Sequence, residues 1–99
     1  MFSRLRRLLG GRGEAGVVVV TVYSRQGCGC CVKAKEVING FRQRYSLEVE
    51  EVDVDQSPEL KDRYGNEVPV VEVGGKVRFR GKVDPVLFER LLRAEAAAG

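Results

Sequence analysis

The sequence has no histidine and no tryptophan, and only one methionine and three prolines in 99 residues. Without imidazole, the commonest general base and a principal zinc ligand are missing, which removes His-based hydrolase chemistry and His-bearing metal sites. No run of eighteen apolar residues occurs; the longest clean apolar stretch, Val17 to Val20, is far too short to cross a bilayer, so a soluble chain without membrane contact is expected. A one-signed charge excess is missing from most of the chain as well. Lys and Arg exceed Asp and Glu by 17 to 14, but Arg4, Arg6, Arg7, Arg12 and Glu14 all fall in the first sixteen positions. From Val17 onward the two signs balance, so a basic nucleic-acid surface is not a property of the body and no nucleic-acid partner is expected. At 43% hydrophobic composition the length supplies one core.

A dispersed cysteine framework is equally absent. Cys28, Cys30 and Cys31 lie within four residues, the opposite of a secreted disulfide scaffold, so a reactive site in a reducing, cytoplasmic setting is expected. Residues 1–16 place Phe2, Leu5, Leu8 and Leu9 at helical spacing between arginines, followed by Gly10-Gly11-Arg12-Gly13. Arginines at positions 4, 6 and 7 interrupt any continuous apolar segment of a secretory signal, and the stretch reads as a flexible basic leader ahead of one domain over 17–99.

Val17 to Tyr23 is β-branched and aromatic with little polar interruption, the pattern of a strand covered on both faces. Ser24 to Gly29 breaks that pattern, and from Cys31 the apolar positions Ala34, Val37, Ile38, Phe41 and Tyr45 recur at helical spacing. The cysteines therefore belong to a strand-to-helix junction. Leu47 to Val54 alternates apolar and acidic residues with one slip at Glu50-Glu51, predicting a second strand with a bulge there. Ser57 as N-cap, Pro58 at the first helical position and Gly65 just past the end predict a helix of about two turns. Val68 to Val73 and Lys76 to Arg80 flank Gly74-Gly75, a hairpin signal. Simple alternation puts Lys76, Arg78 and Arg80 on one face, a basic stripe suited to an edge strand. Asp84 and Pro85 start a last helix with Leu87, Phe88, Leu91 and Leu92 on its apolar face. The order β-α-β-α-β-β-α, opening with a right-handed crossover, predicts an α/β fold with a four-stranded mixed sheet flanked by helices.

Cys28 and Cys31 are three positions apart, a spacing that in a first helical turn brings both sulfurs to one side, within range of a disulfide. Cys28, just ahead of the helix, faces unpaired N–H groups and the positive end of the helix dipole, which favour thiolate. Cys30 points about a hundred degrees away from each neighbour, so it reads as a small, partly buried thiol, with an auxiliary resolving role as the alternative. The acidic group Glu48, Glu50, Glu51, Asp53 and Asp55 is at strand spacing with no His or Cys beside it and reads as solvated surface.

The run Tyr23-Ser24-Arg25-Gln26-Gly27-Cys28-Gly29-Cys30-Cys31-Val32-Lys33-Ala34-Lys35 resembles the active-site segment of glutaredoxins. The likeness continues through Val52-Asp53-Val54-Asp55, Pro58-Glu59-Leu60, Tyr64-Gly65, Val68-Pro69-Val70 and Gly81, and implies the glutaredoxin-like branch of the thioredoxin fold. It makes Cys28 the exposed nucleophile, Cys31 the resolving thiol and Val68-Pro69 a cis-proline turn beside them, with Arg25, Val68 and Pro69 meeting the substrate. Glutaredoxins usually carry Pro and an aromatic between the cysteines, Thr before the Val-Pro pair, and Gly-Gly followed by Asp. Here stand Gly29-Cys30, Glu67 and Gly81-Lys82-Val83-Asp84, an incomplete donor set for glutathione. Glu67 also puts a negative charge where that anionic tripeptide would approach, unless Arg25 or Lys82 offsets it. The expected activity is that of a monomeric thiol-disulfide oxidoreductase acting on protein or small-thiol disulfides. No cofactor is required and no metal is bound, with glutathione as the one candidate cofactor. The alternative is an iron–sulfur cluster held through Cys28 together with thiols from outside the chain.

Overall fold

The computed structural model describes residues 16–98. The expected leader therefore lies, apart from Gly16, outside the described residues. Strand β1 (Val17–Ser24) runs into helix α1 (Gly29–Gly40), then β2 (Ser46–Asp53), a 3-10 turn at Val54–Gln56, and the short helix α2 (Pro58–Tyr64). The hairpin β3 (Val70–Val73) and β4 (Lys76–Arg80) leads to α3 (Pro85–Ala98). This is the expected β-α-β-α-β-β-α order. The sheet is mixed, in the order β2-β1-β3-β4, with β1 parallel to β2 and antiparallel to β3.

Alternation along β1 sends its residues to two cores. Val18, Val20 and Val22 join Val71, Val73 and Phe79 on one face, under Ala34, Ile38 and Phe41 from α1 and its C-cap and Phe88 and Leu92 from α3. Phe88 is the keystone there: it is fully buried and meets Phe41 and Phe79 edge-on, with ring centroids 5.6 and 6.1 Å apart. The opposite face holds a smaller cluster of Tyr23, Val54, Tyr64 and Val70, in which the two tyrosine rings lie 4.8 Å apart. Strand β1, covered on both sides, matches its uninterrupted apolar run. Ser57 caps α2 by accepting from the Leu60 N–H at 3.4 Å, and Asp84 caps α3 by accepting from the Val86 N–H at 2.9 Å.

The register corrects two expectations. The bulge foreseen at Glu50-Glu51 is absent, because β1 and β2 pair without a slip from Val17 with Ser46 to Ser24 with Asp53. The irregularity sits instead in the β3–β4 hairpin, where Glu72 pairs with Val77 but Val71 pairs with Phe79. Arg78 is the extra residue, so Lys76 and Arg80, opposite Val73 and Val70, fall on different faces and the single basic stripe does not form. The strand is nevertheless an edge, and its three cationic side chains are exposed. The hairpin turns at Gly74 and Gly75, both at positive φ (62° and 87°), as a two-residue turn matching the sheet twist demands. Gly65 stands just past the end of α2, as expected. Its φ of −54° is ordinary helical backbone, and glycine is needed because a Cβ there would strike the Lys61 carbonyl oxygen.

Phe88→Ala is expected to lower unfolding free energy by about 3–5 kcal/mol in urea titration, because the cavity it leaves lies under both partner rings. Val86→Ala, two residues away and 69% exposed, should change it by less than about 0.5 kcal/mol.

Candidate functional site at the β1–α1 junction

The chain leaves β1 at the buried Ser24, turns through Arg25-Gln26-Gly27 and enters α1 with Cys28 as its N-cap. Gly27 makes that turn at φ +74°, a conformation that costs glycine no Cβ clash. Cys28 is extended (φ −96°, ψ 106°), and its sulfur accepts from the Cys31 backbone N–H at 3.2 Å. An N-cap ordinarily offers a hydroxyl or carboxylate oxygen to these orphan donors. Here a sulfur takes the place of that oxygen, so the positive end of the helix is aimed at the Cys28 sulfur.

One turn further on, Cys31 is 1% exposed, whereas Cys28 is half-buried and Cys30 exposed. All three thiols are free. Burial, and next the hydrogen bond with Cys28, push the Cys31 thiol up to about 11, against smaller downward pulls from the Arg25 backbone and the Lys35 ammonium. The two sulfurs thus occupy different environments within a single helical turn.

Cys28 and Cys31 both line an open cavity of about 490 Å³, together with Ser24, Lys35, Glu51 and Asp53. Lys35 Nζ donates to Glu51 Oε2 at 2.8 Å, and the Ser24 hydroxyl donates to the same oxygen at 2.9 Å. The Lys35 bond, opposed in part by burial, and the Ser24 bond hold the Glu51 carboxyl below the usual carboxylate range. Asp53 lines the cavity, while Asp55 sits outside it and binds Arg25. Of the acidic group read as solvated surface, Glu51 and Asp55 are exposed, and each is paired with a cation, Glu51 with Lys35 and Asp55 with Arg25. Sequence reasoning missed Ser24, Lys35 and Glu51. The available signal was the i,i+4 spacing of Cys31 and Lys35, since the strand pairing that brings up Glu51 is non-local.

Arg25 also borders the cavity, but its guanidinium grips Asp55 through two contacts of 3.0 and 3.1 Å and donates to the Gly65 carbonyl at 3.2 Å. That pairing raises the guanidinium pKa, with the Asp55 hydrogen bond the largest cause. The Val68–Pro69 bond is cis, and the Pro69 carbonyl accepts from the Gly81 N–H at 2.7 Å. Neither Val68 nor Pro69 lines the cavity beside Cys28. Glu67 forms an ion pair with Arg80, so the offset expected of Arg25 or Lys82 is supplied by another residue. Cys30 is not the partly buried thiol expected from helix geometry: it is exposed and borders a separate hollow of about 320 Å³ with Lys33, Val37, Lys82 and Val83. Among the described residues, no group of three or more Cys, Asp or Glu is placed to hold a metal ion, and no helix is long and apolar enough to cross a membrane.

The profile of the glutaredoxin-like domain (DUF836) matches residues 19–94, which take in the described strands except the first two residues of β1, and both cysteines of the pair. The chain belongs to this glutaredoxin-like family. A glutaredoxin-like protein of Dictyostelium discoideum, described as a YDR286C homolog, is 27% identical over 71 residues, a match covering 66% of each chain. Among solved structures, the X. campestris protein XcR50 superposes with a TM-score of 0.63 at 26% identity, covering 76% of this chain and 96% of its own. Mitochondrial thioredoxin 3 of Saccharomyces cerevisiae gives 0.61 at 18% identity, covering 94% of this chain and 89% of its own. A single-site mutant of thioredoxin from Halobacterium salinarum gives 0.60 at 22% identity, covering 86% and 79%. At those last two identities the likeness speaks for the fold, and a glutaredoxin-like protein with a thioredoxin fold and a Cys28-x-x-Cys31 pair points to a redox function.

At neutral pH, brief alkylation with mass mapping should label Cys28 fastest among the three thiols of this glutaredoxin-like protein, because its sulfur combines access with a backbone donor. Cys31 should be labelled last and gain reactivity only as pH approaches its raised value of about 11.

Proposed function

We propose that the chain is a thiol-disulfide oxidoreductase in which Cys28 attacks a substrate disulfide and Cys31 resolves the product. The observation that carries this reading is the contrast between two sulfurs at one helix start. The accessible one accepts a backbone hydrogen bond at 3.2 Å, and the buried one sits a single turn away on the same cavity. In the first step the Cys28 thiolate forms a mixed disulfide and expels one half of the substrate as a thiolate. In the second, the Cys31 sulfur attacks Cys28, the Cys28–substrate bond breaks, and the substrate sulfur leaves and takes up a proton. The substrate is reduced and the Cys28–Cys31 pair oxidised, with no bound cofactor.

The substrate class is a disulfide in a protein or a small thiol, the chain acts as a monomer, and a reducing compartment such as the cytoplasm returns the pair to its dithiol. The Val68 backbone before Pro69 offers main-chain groups to an extended peptide flanking a disulfide, a contact indifferent to side-chain identity. Cluster binding through Cys28 is the weaker reading. The third thiol, Cys30, faces a different hollow from the other two, so the chain does not gather its cysteines around one point.

Cys31→Ser should accumulate mixed disulfides with substrate proteins on a thiol-exchange column, because Cys28 still attacks but nothing resolves. Cys30→Ser should accumulate none. Equal trapping by both variants would assign the resolving role to both thiols and overturn the two-residue scheme.

A further inference from the structure

Lys35 follows Cys31 by four residues and Cys28 by seven, so all three side chains fall along one face of α1 and line the same cavity. Lys33, on the same helix, borders the other hollow with Cys30. A surface lysine usually keeps its ammonium in bulk water on a mobile four-carbon stem. This one is held. Glu51 on β2 accepts from it at 2.8 Å, and the buried hydroxyl of Ser24, the last residue of β1, fixes that carboxylate at 2.9 Å. The helix cation is thereby anchored to two adjacent parallel strands. With side-chain exposures of 36% and 48%, the pair contributes little to stability by itself. Its placement matters more for the field at the cavity, where the Cys31 thiol must lose its proton before it can act.

We propose that Lys35, positioned by Glu51 and Ser24, stabilises the Cys31 thiolate as it forms in the resolving step, and that Glu51 sets the strength of that effect. The inference rests on the oxidoreductase reading and deepens it. The Cys31 S–H proton passes to cavity water and the Cys31 sulfur attacks Cys28. The Cys28–Cys31 bond forms as the Cys28–substrate bond breaks, and the departing substrate sulfur takes up a proton. The other charged groups on the cavity are Arg25 and Asp53, and Cys28 is in the mixed disulfide at this step. Arg25 is bound to Asp55, and Asp53 Oδ1 accepts from the Asp55 N–H at 2.9 Å. Lys35 and Glu51 are an ion pair lining the cavity that both sulfurs share. The two residues should therefore have opposite effects on Cys31: the ammonium favours its thiolate and the carboxylate opposes it.

The test is a single-turnover reaction of the full chain with an aromatic disulfide that releases a coloured thiolate, once on attack by Cys28 and again on resolution by Cys31. The second release is followed across pH. Lys35→Met should slow it about tenfold at neutral pH and move its midpoint up by about one unit. Glu51→Gln should move the midpoint down. Loss of packing would not produce shifts of opposite sign, so unchanged profiles, or profiles displaced in the same direction, would overturn the proposal. The ionisation of Cys31, read by thiolate absorbance in chains carrying Cys28→Ser and Cys30→Ser, should follow the same order without any turnover. Failure of the unsubstituted chain to release the second thiolate would instead refute the oxidoreductase reading.

Discussion

The backbone N–H of Cys31 donates to the sulfur of Cys28, and the fold and its chemistry meet in that one contact. A helix start always leaves N–H groups in need of acceptors. Most sequences answer with Ser, Thr, Asp or Asn, as this chain does at α2 with Ser57 and at α3 with Asp84. At α1 the same requirement is met by a thiol. The Cys28 sulfur is thus fixed by the need that starts the helix, and the helix in turn is held by Ala34, Ile38 and Phe41 against the sheet. A change that loosened that packing would move the sulfur without touching it.

The short helical turn also separates two opposing requirements. An attacking thiol has to be reached by its substrate and a resolving thiol has to be protected from it. Cys28 sits in the cap, half-buried, and Cys31 sits one turn deeper at 1% exposure. Depth brings a cost in desolvation, visible in the thiol pushed up to about 11. The Lys35–Glu51 pair stands on the wall of the cavity where that cost can be reduced. Cys30, turned to the other side of the helix, is outside this arrangement despite being adjacent in sequence.

The parts of the structure legible from sequence are those with local causes. Val17 to Tyr23 signals a buried strand, Gly27 and the cysteines a junction, Gly74-Gly75 a two-residue turn, and Ser57-Pro58 a helix start; each rests on neighbours within a few positions. The misreadings are non-local. The slip in alternation at Glu50-Glu51 suggests a bulge, but β2 stays in register with β1, and Glu51 is exposed on the strand because it serves the cavity wall. The real bulge at Arg78 depends on pairing with β3, which alternation within β4 does not reveal. Gly65 is legible as the residue just past the α2 end, but the close Lys61 carbonyl that calls for glycine there is not. The ion pair of Arg25 with Asp55 is likewise non-local, joining residues thirty positions apart, and only the tertiary structure shows it.

In the proposed function Cys28 and Cys31 form one reversible two-electron couple. Equilibrating the full chain against thiol–disulfide buffers of graded potential, quenching with acid and mapping the disulfides by mass tests it most directly. The account predicts one two-electron transition whose oxidised product joins Cys28 to Cys31 and leaves Cys30 as a free thiol. A chain that shows no reversible transition, or one whose oxidised form joins Cys30 to either neighbour, would contradict it.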